Sequence, residues 1–425
     1  ADAAYPKYLQ GIYLSSGSSL NSSNGTITLN GKSNQNVYAV TTGVYLDGGT
    51  INAGTGKISI SGLQTSSSGT LPNAQGVIIN GGIYSSSTSS DAISIIGNAS
   101  GANGGGTSLG INIQDGATIQ ANGTGGGIYI YGSAGTATGY ESGVDFGGNV
   151  SVLAASGPIV IESNNPTRTA PTNYDMRASG NVSFGARAAS GVTSSTSNIT
   201  FRASEFQLTG AVNISTAGNV TIEPLATNLT FNSGNLTLNS SISSFTLGKD
   251  GNTVDLTISR AIDIAGSINL YAGNISADAN LTTTGNGSGI LLKSRGFIIV
   301  EAGKKLQTNN GSITLWADSN GDGAGGFIGI REGVQLNSAN GSTSQSTGGG
   351  SITLAGGNTT NATTGLPNGY AYAQSWPGTN WGDHPPSGVQ FGAWNPSATY
   401  TYDFRLYSGG GNILIHGKAA TGAPG

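Results

Sequence analysis

Residues 43–62 read GVYLDGGTINAGTGKISISG, and this stretch decides the fold. Val44 and Leu46 stand one residue apart, Ile51 follows a Gly48-Gly49 pair, and Ile58 and Ile60 alternate with Ser59 and Ser61. Apolar residues spaced by two mark a strand with one buried face. Three such strands in 20 residues, separated by glycine, are each too short to bury an apolar face alone.

Working outward, the same unit recurs at a period of about 33 residues through the N-terminal third, opening at Gly11, Gly43, Gly76, Gly110 and Gly143. The first strand supplies Ile12 and Leu14, Val44 and Leu46, Val77 and Ile79, Ile111 and Ile113, and Val144 and Phe146. The second supplies Leu20, Ile51, Ile83, Ile119 and Val152. The third supplies Ile27 and Leu29, Ile58 and Ile60, Ile93 and Ile95, Ile128 and Ile130, and Ile159 and Ile161. Units return late in the chain as Phe297, Ile299, Leu306, Ile313 and Leu315, then Ile328, Ile330, Leu336, Ile352 and Leu354, and last Val389, Phe391, Leu406, Ile413 and Ile415. Residues 180–290 keep the strand signature in denser form, as at Val182 and Phe184 or Leu236 and Leu238.

Short strands that bury their apolar face only by stacking on the next unit define a solenoid. The expected fold is all-β, a right-handed parallel β-helix with three parallel sheets around a narrow core. Glycines at its corners are expected to supply positive-φ turns. Residues 32–42, 63–75, 98–109 and 133–142 vary at one point of each unit, so they are expected to emerge along one edge. The organisation read from the sequence is a repeat array at 1–355, an aromatic-rich insertion at 356–387, and a final coil with a C-terminal tail at 388–425.

Composition supports this reading. The chain has 72 glycines, is 8% charged and carries a formal net charge of −4, with Lys and Arg scattered singly. Such a surface has no electrostatic footprint for nucleic acid. It contains no cysteine, which excludes disulfides and thiolate metal sites. No apolar run of about 18 residues is present, so no membrane insertion is expected, and Ala1-Asp2-Ala3-Ala4 reads as the start of a mature or excised fragment.

The phrases at Gly11-Ile12-Tyr13-Leu14, Gly43 to Gly54, Asn24 to Gly31, Gly311 to Leu315 and Gly350 to Gly357 resemble the repeats of filamentous haemagglutinin-type large exoproteins. Autotransporter passengers share this repeat style. The resemblance covers most of residues 11–355 and returns at 388–417. It implies a secreted or cell-surface bacterial β-helix acting as adhesin stalk or fibre-forming subunit, in an extracellular filament or a biofilm. Its partners would be other copies, surface glycans or surface proteins.

Two local features stand out from the repeat. Asp318, Asn320 and Asp322, with Gly321 and Gly323, match the first half of an EF-hand-type calcium loop, in which alternate positions present oxygens and glycine allows the sharp turn. The second half is missing, because the twelfth position is Gly329 and Glu332 comes three residues late. Apart from calcium in this loop, no cofactor is expected. The insertion carries Tyr370, Tyr372, Trp376, Trp381 and His384, with Trp394 just beyond. Exposed rings of this kind stack on sugars or anchor partners, and folding back to cover a flank of the array is the plainer alternative.

A polysaccharide lyase or hydrolase is the second class considered, since such enzymes also use β-helices. It requires acids converging from neighbouring coils, whereas Asp47, Asp91, Asp115, Asp145 and Glu162 fall at different points of the repeat. The pair His416-Gly417 has no accompanying paired aspartates, and two histidines in all supply triads and zinc sites poorly. A catalytic role is therefore not expected. Asn21, Asn52, Gln120, Gln307 and Asn337, each following a second-strand apolar residue, are expected to form amide ladders.

Overall fold

A computed structural model describes residues 8–34, 40–65, 73–99, 106–135, 139–165, 174–188, 190–231, 235–323, 326–373, 387–392 and 403–419. Among them there are strands and turns but no helix, and so none long and apolar enough to cross a membrane. The fold is the parallel β-helix that the repeat implies. It divides into two compact units, residues 1–225 with 235–239 and residues 226–234 with 240–425, a division the repeat pattern does not announce.

In the first unit the strands of the opening face, Tyr8–Leu14, Val40–Asn52, Asn73–Ser85, Thr107–Ile113, Glu141–Phe146, Tyr174–Ala178 and Glu205–Leu208, pair in parallel in that order. Val40–Asn52 and Asn73–Ser85 run on into the second face, with a register irregularity between Asp47 and Thr50. The third face stacks Ile27–Ser33, Ile58–Gln64, Ile93–Ala99, Ile128–Ser133, Ile159–Asn164, Ile199–Arg202 and Asn219–Glu223. Every apolar position read from the N-terminal repeat falls opposite its counterpart: Ile12 pairs with Val44, Val44 with Val77, Ile58 with Ile93, and Ile128 with Ile159. Ile51, Ile58, Ile93 and Ile119 have no exposed surface. The regular spacing wins because a one-residue slip would turn a whole strand inside out.

Further along this unit phenylalanines replace isoleucine. Phe146 and Phe184 pack edge to face at 5.4 Å, and Phe184 meets Phe201 at 4.9 Å in the same manner. Outside, Glu162, Arg202 and Glu223 sit opposite one another on successive third-face strands. Arg202 binds Glu162 at 2.6 Å and Glu223 at 2.7 Å.

The corner glycines and the unit-opening glycines serve different ends. Gly48 and Gly116 do make positive-φ turns (73° and 82°), but Gly43, Gly76 and Gly110 lie inside strands without a positive φ. They are needed for close approach instead. A Cβ on Gly110 would meet Ser133 N, lie 2.5 Å from Gly143 O and 2.8 Å from Gly132 C, all backbone atoms. On the facing strand, Gly132 has no room because of the Gly143 carbonyl. Two facing columns of glycine thus bring the first and third faces into backbone contact, where any side chain would force them apart.

The variable stretches leave the third face and re-enter the first at equivalent points. Ser33 stands opposite Gln64 and Gln64 opposite Ala99, while Thr41 stands opposite Ala74 and Ala74 opposite Ser108. Of these stretches, residues 35–39, 66–72, 100–105 and 136–138 lie outside the described residues.

In the second unit the strands of the first two faces are only three or four residues long. Leu256–Ile258, Ile275–Ala277, Ile298–Val300, Ile328–Ile330 and Val389–Phe391 form one face, and Ile262–Ile264, Leu281–Thr283, Lys305–Thr308, Gln335–Asn337 and Arg405–Tyr407 a second. The third stacks Ser244–Leu247, Ser267–Ala272, Ile290–Ser294, Ile313–Ala317, Ile352–Thr360 and Ile413–Ile415. Here the reading of Phe297 and Ile299 as the inward pair is corrected by one residue. Ile298 pairs with Ile275 and Ile328, and it and Val300 have no exposed surface. Phe297 instead stacks on Phe327 at the turn into the strand, 5.2 Å between ring centres.

The register sets Asn21 opposite Asn52 and Gln307 opposite Asn337, as amide ladders require, but the row is not continuous. Tyr84 stands between Asn52 and Gln120 in the stack. Gln120 donates to Asn122 at 2.7 Å, and Asn337 donates to the Ser342 carbonyl at 3.1 Å. These amides satisfy their own turns before they can reach the next coil.

Candidate functional site

The two features singled out in the sequence meet in the second unit. The third-face strand Ile313–Ala317 ends at Asp318, whose φ of 48° turns the chain sharply outward. Gly321 and Gly323 also take positive φ, 68° and 66°, and Gly321 N–H donates to the Asp318 carbonyl at 2.8 Å. The chain returns to the first-face strand Ile328–Ile330, which contains Gly329. The position where an EF-hand supplies its closing carboxylate is therefore already committed to the sheet.

Within this loop Asp318 has no exposed surface. Its Oδ1 accepts from Gly323 N–H at 3.3 Å, while Oδ2 has no hydrogen-bond partner. Burial pushes its carboxyl up to about 6, the neighbouring Asp322 carboxylate adds to the rise, and the Gly323 N–H opposes it. Asn320 donates to Asp322 through Nδ2, which leaves Asn320 Oδ1 buried without a partner. Asp318 and Asn320, alternate residues of one turn, thus each present an oxygen that lacks a donor.

The described part of the aromatic insertion folds against the same place. Ile352–Thr360 pairs antiparallel with Pro367–Gly369, and Ala371–Tyr372 pairs in parallel with Gly417–Lys418. A Cβ on Gly323 would lie 3.7 Å from the Tyr372 ring, and Tyr372 N–H donates to the Gly326 carbonyl at 2.9 Å. Lys418 Nζ bonds the Tyr372 hydroxyl at 3.0 Å and stands 5.0 Å from its ring centre. Tyr370 stacks on His416 at 5.3 Å and keeps 51% of its surface exposed. Trp376, Trp381, His384 and Trp394 lie outside the described residues.

The acids weighed for catalysis lie apart, each with its own partner. Asp47 accepts from Tyr13 at 2.8 Å, Asp91 from Lys57 at 2.6 Å and Asp115 from Asn149 at 2.9 Å. Asp145 lies 3.7 Å from Arg177, which also stands over the Tyr140 ring at 4.8 Å. Burial raises the Asp145 carboxyl, while the Arg177 charge opposes the rise. The charged row of Glu162, Arg202 and Glu223 was legible in principle: each follows the second inward apolar residue of a third-face strand, Ile161, Phe201 or Ile222.

Comparison with protein-family models, with curated proteins and with solved structures gives no match in any of the three.

Proposed function

We propose that this chain is a structural or adhesive β-helix of a bacterial cell-surface or secreted protein, an adhesin stalk or fibre-forming subunit working through self-association or surface binding. One observation carries the reading. Ile413 and Ile415 occupy the ladder positions of Ile352 and Leu354, which have no exposed surface, yet they are 48% and 43% exposed. Among the described residues no strand pairs with the far side of Val389–Phe391, Arg405–Tyr407 or Ile413–Ile415. An apolar row flanked by unpaired backbone donors and acceptors is a template for a further coil. A coil of the same spacing, from further along the same chain or from another copy, would continue all three sheets, and between copies such a head-to-tail contact builds filaments.

Tyr370 supports the binding side of the proposal, because an exposed ring braced by His416 offers a flat apolar face to a sugar or partner. Electron microscopy of the purified native chain tests the fibre role. Filaments that disappear in Ile415→Lys support it. Isolated particles at every concentration remove that role, and a glycan array then decides whether surface binding remains.

A further inference from the structure

We propose that loop 318–323 binds one calcium ion through Asp318 Oδ2, Asn320 Oδ1 and the Asp322 carboxylate. The inference does not depend on whether the chain forms fibres or binds surfaces. It begins from a deficit. Asp318 is fully buried, its Oδ2 has no hydrogen-bond partner, and none of the groups acting on its carboxyl is a cation. Asn320 directs its amide nitrogen at Asp322, so that its buried oxygen also lacks a donor. Buried acceptors are paired in folded proteins almost without exception, and each one left unpaired costs stability.

Two acceptor oxygens without donors, with the Asp322 carboxylate near them, fit a hard cation better than any other ligand. The residues alternate along one turn, as the oxygen ligands of a calcium loop do, and Gly321 and Gly323 make the curvature. Calcium suits the set because it accepts six to eight oxygens in a flexible shell, with water filling the positions that protein does not. Magnesium needs near-ideal octahedral geometry and gives up its waters reluctantly, so it should compete poorly. Three protein ligands without a bidentate closing glutamate place the affinity in the weak range, Kd on the order of 10⁻⁴ to 10⁻³ M.

The site adjoins the insertion. Tyr372 packs against Gly323 and binds the Gly326 carbonyl, so an ion at 318–322 would tie the turn that carries the final aromatic strand pair.

The test is equilibrium dialysis of the chelator-treated full chain against radioactive calcium, with magnesium as competitor and ionic strength held constant. The expected result is one calcium per chain, a melting temperature raised by roughly 2–4 °C at calcium ten times Kd, and affinity lowered at least about tenfold in Asp318→Asn and in Asp322→Asn. Asp322 is exposed, so its variant decides the matter even if the buried substitution perturbs folding. No retained calcium overturns the proposal, as does wild-type affinity in either folded variant.

Discussion

Gly110→Ala should be among the most damaging single-methyl changes in this protein, although alanine is ordinarily a mild replacement for glycine. The new Cβ would lie 2.5 Å from Gly143 O, 2.8 Å from Gly132 C and against Ser133 N. Carbon contacts are comfortable only at about 3.5–4.0 Å, so the first and third faces must part by roughly 1 Å. The obstructing atoms are backbone held in two ladders and cannot rotate away. Overpacking of a core costs about 1–3 kcal/mol where side chains can adjust, so about 3 kcal/mol or more is expected here. Gly116→Ala is the control, with φ of 82° and no atom within 4 Å of the new methyl. Its cost is the left-handed backbone alone, about 1–2 kcal/mol. Urea denaturation followed by far-ultraviolet circular dichroism measures both. Tryptophan fluorescence would not serve, since Trp316, Trp376, Trp381 and Trp394 all belong to the second unit. Hydrogen exchange should place the loss at strands Thr107–Ile113 and Ile128–Ser133. A Gly110→Ala variant within about 1 kcal/mol of the parent, or less affected than Gly116→Ala, would refute the close-approach argument.

Phe184→Ala should cost about 3–5 kcal/mol, because it empties a buried site and removes two edge-to-face contacts; a loss below about 1 kcal/mol in urea titration would contradict the packing described. The raised Asp145 carboxyl means that the folded chain holds this proton more tightly than the unfolded chain. Its contribution to stability is therefore present at acid pH and lost as pH rises from about 3.9 through its folded value. Asp145→Asn should flatten that part of the stability profile and be no less stable than the parent at neutral pH, which melts across a pH series check directly. Arg202→Met leaves Glu162 and Glu223 facing one another without a cation, and about 1–2 kcal/mol should be lost at low salt, less at high salt and less again with Glu162→Gln added. Equal losses at both salt concentrations would mean that packing, not charge, holds the row.

The sequence by itself determined the β-helix and most of its register. Ile12, Val44, Val77, Ile111 and Val144 had one possible partner each, because a strand with one buried face tolerates no odd slip. It also marked Asp318, Asn320 and Asp322, whose alternation on a glycine turn is local. At Phe297 the repeat failed as a guide, since four consecutive apolar residues, Phe297, Ile298, Ile299 and Val300, give alternation two equal solutions; stacking on Ile275 and Ile328 chose between them. Only the tertiary structure decided that the unit-opening glycines serve close approach rather than turns, because the clash lies with strands about 20–30 residues away in sequence. The same holds for the burial of Asp318, the seat of Tyr372 against Gly323 and the charge row through Arg202. Local pattern fixes which face of a strand turns inward, whereas the neighbours a side chain meets are set by coils that are close in space and far apart along the chain.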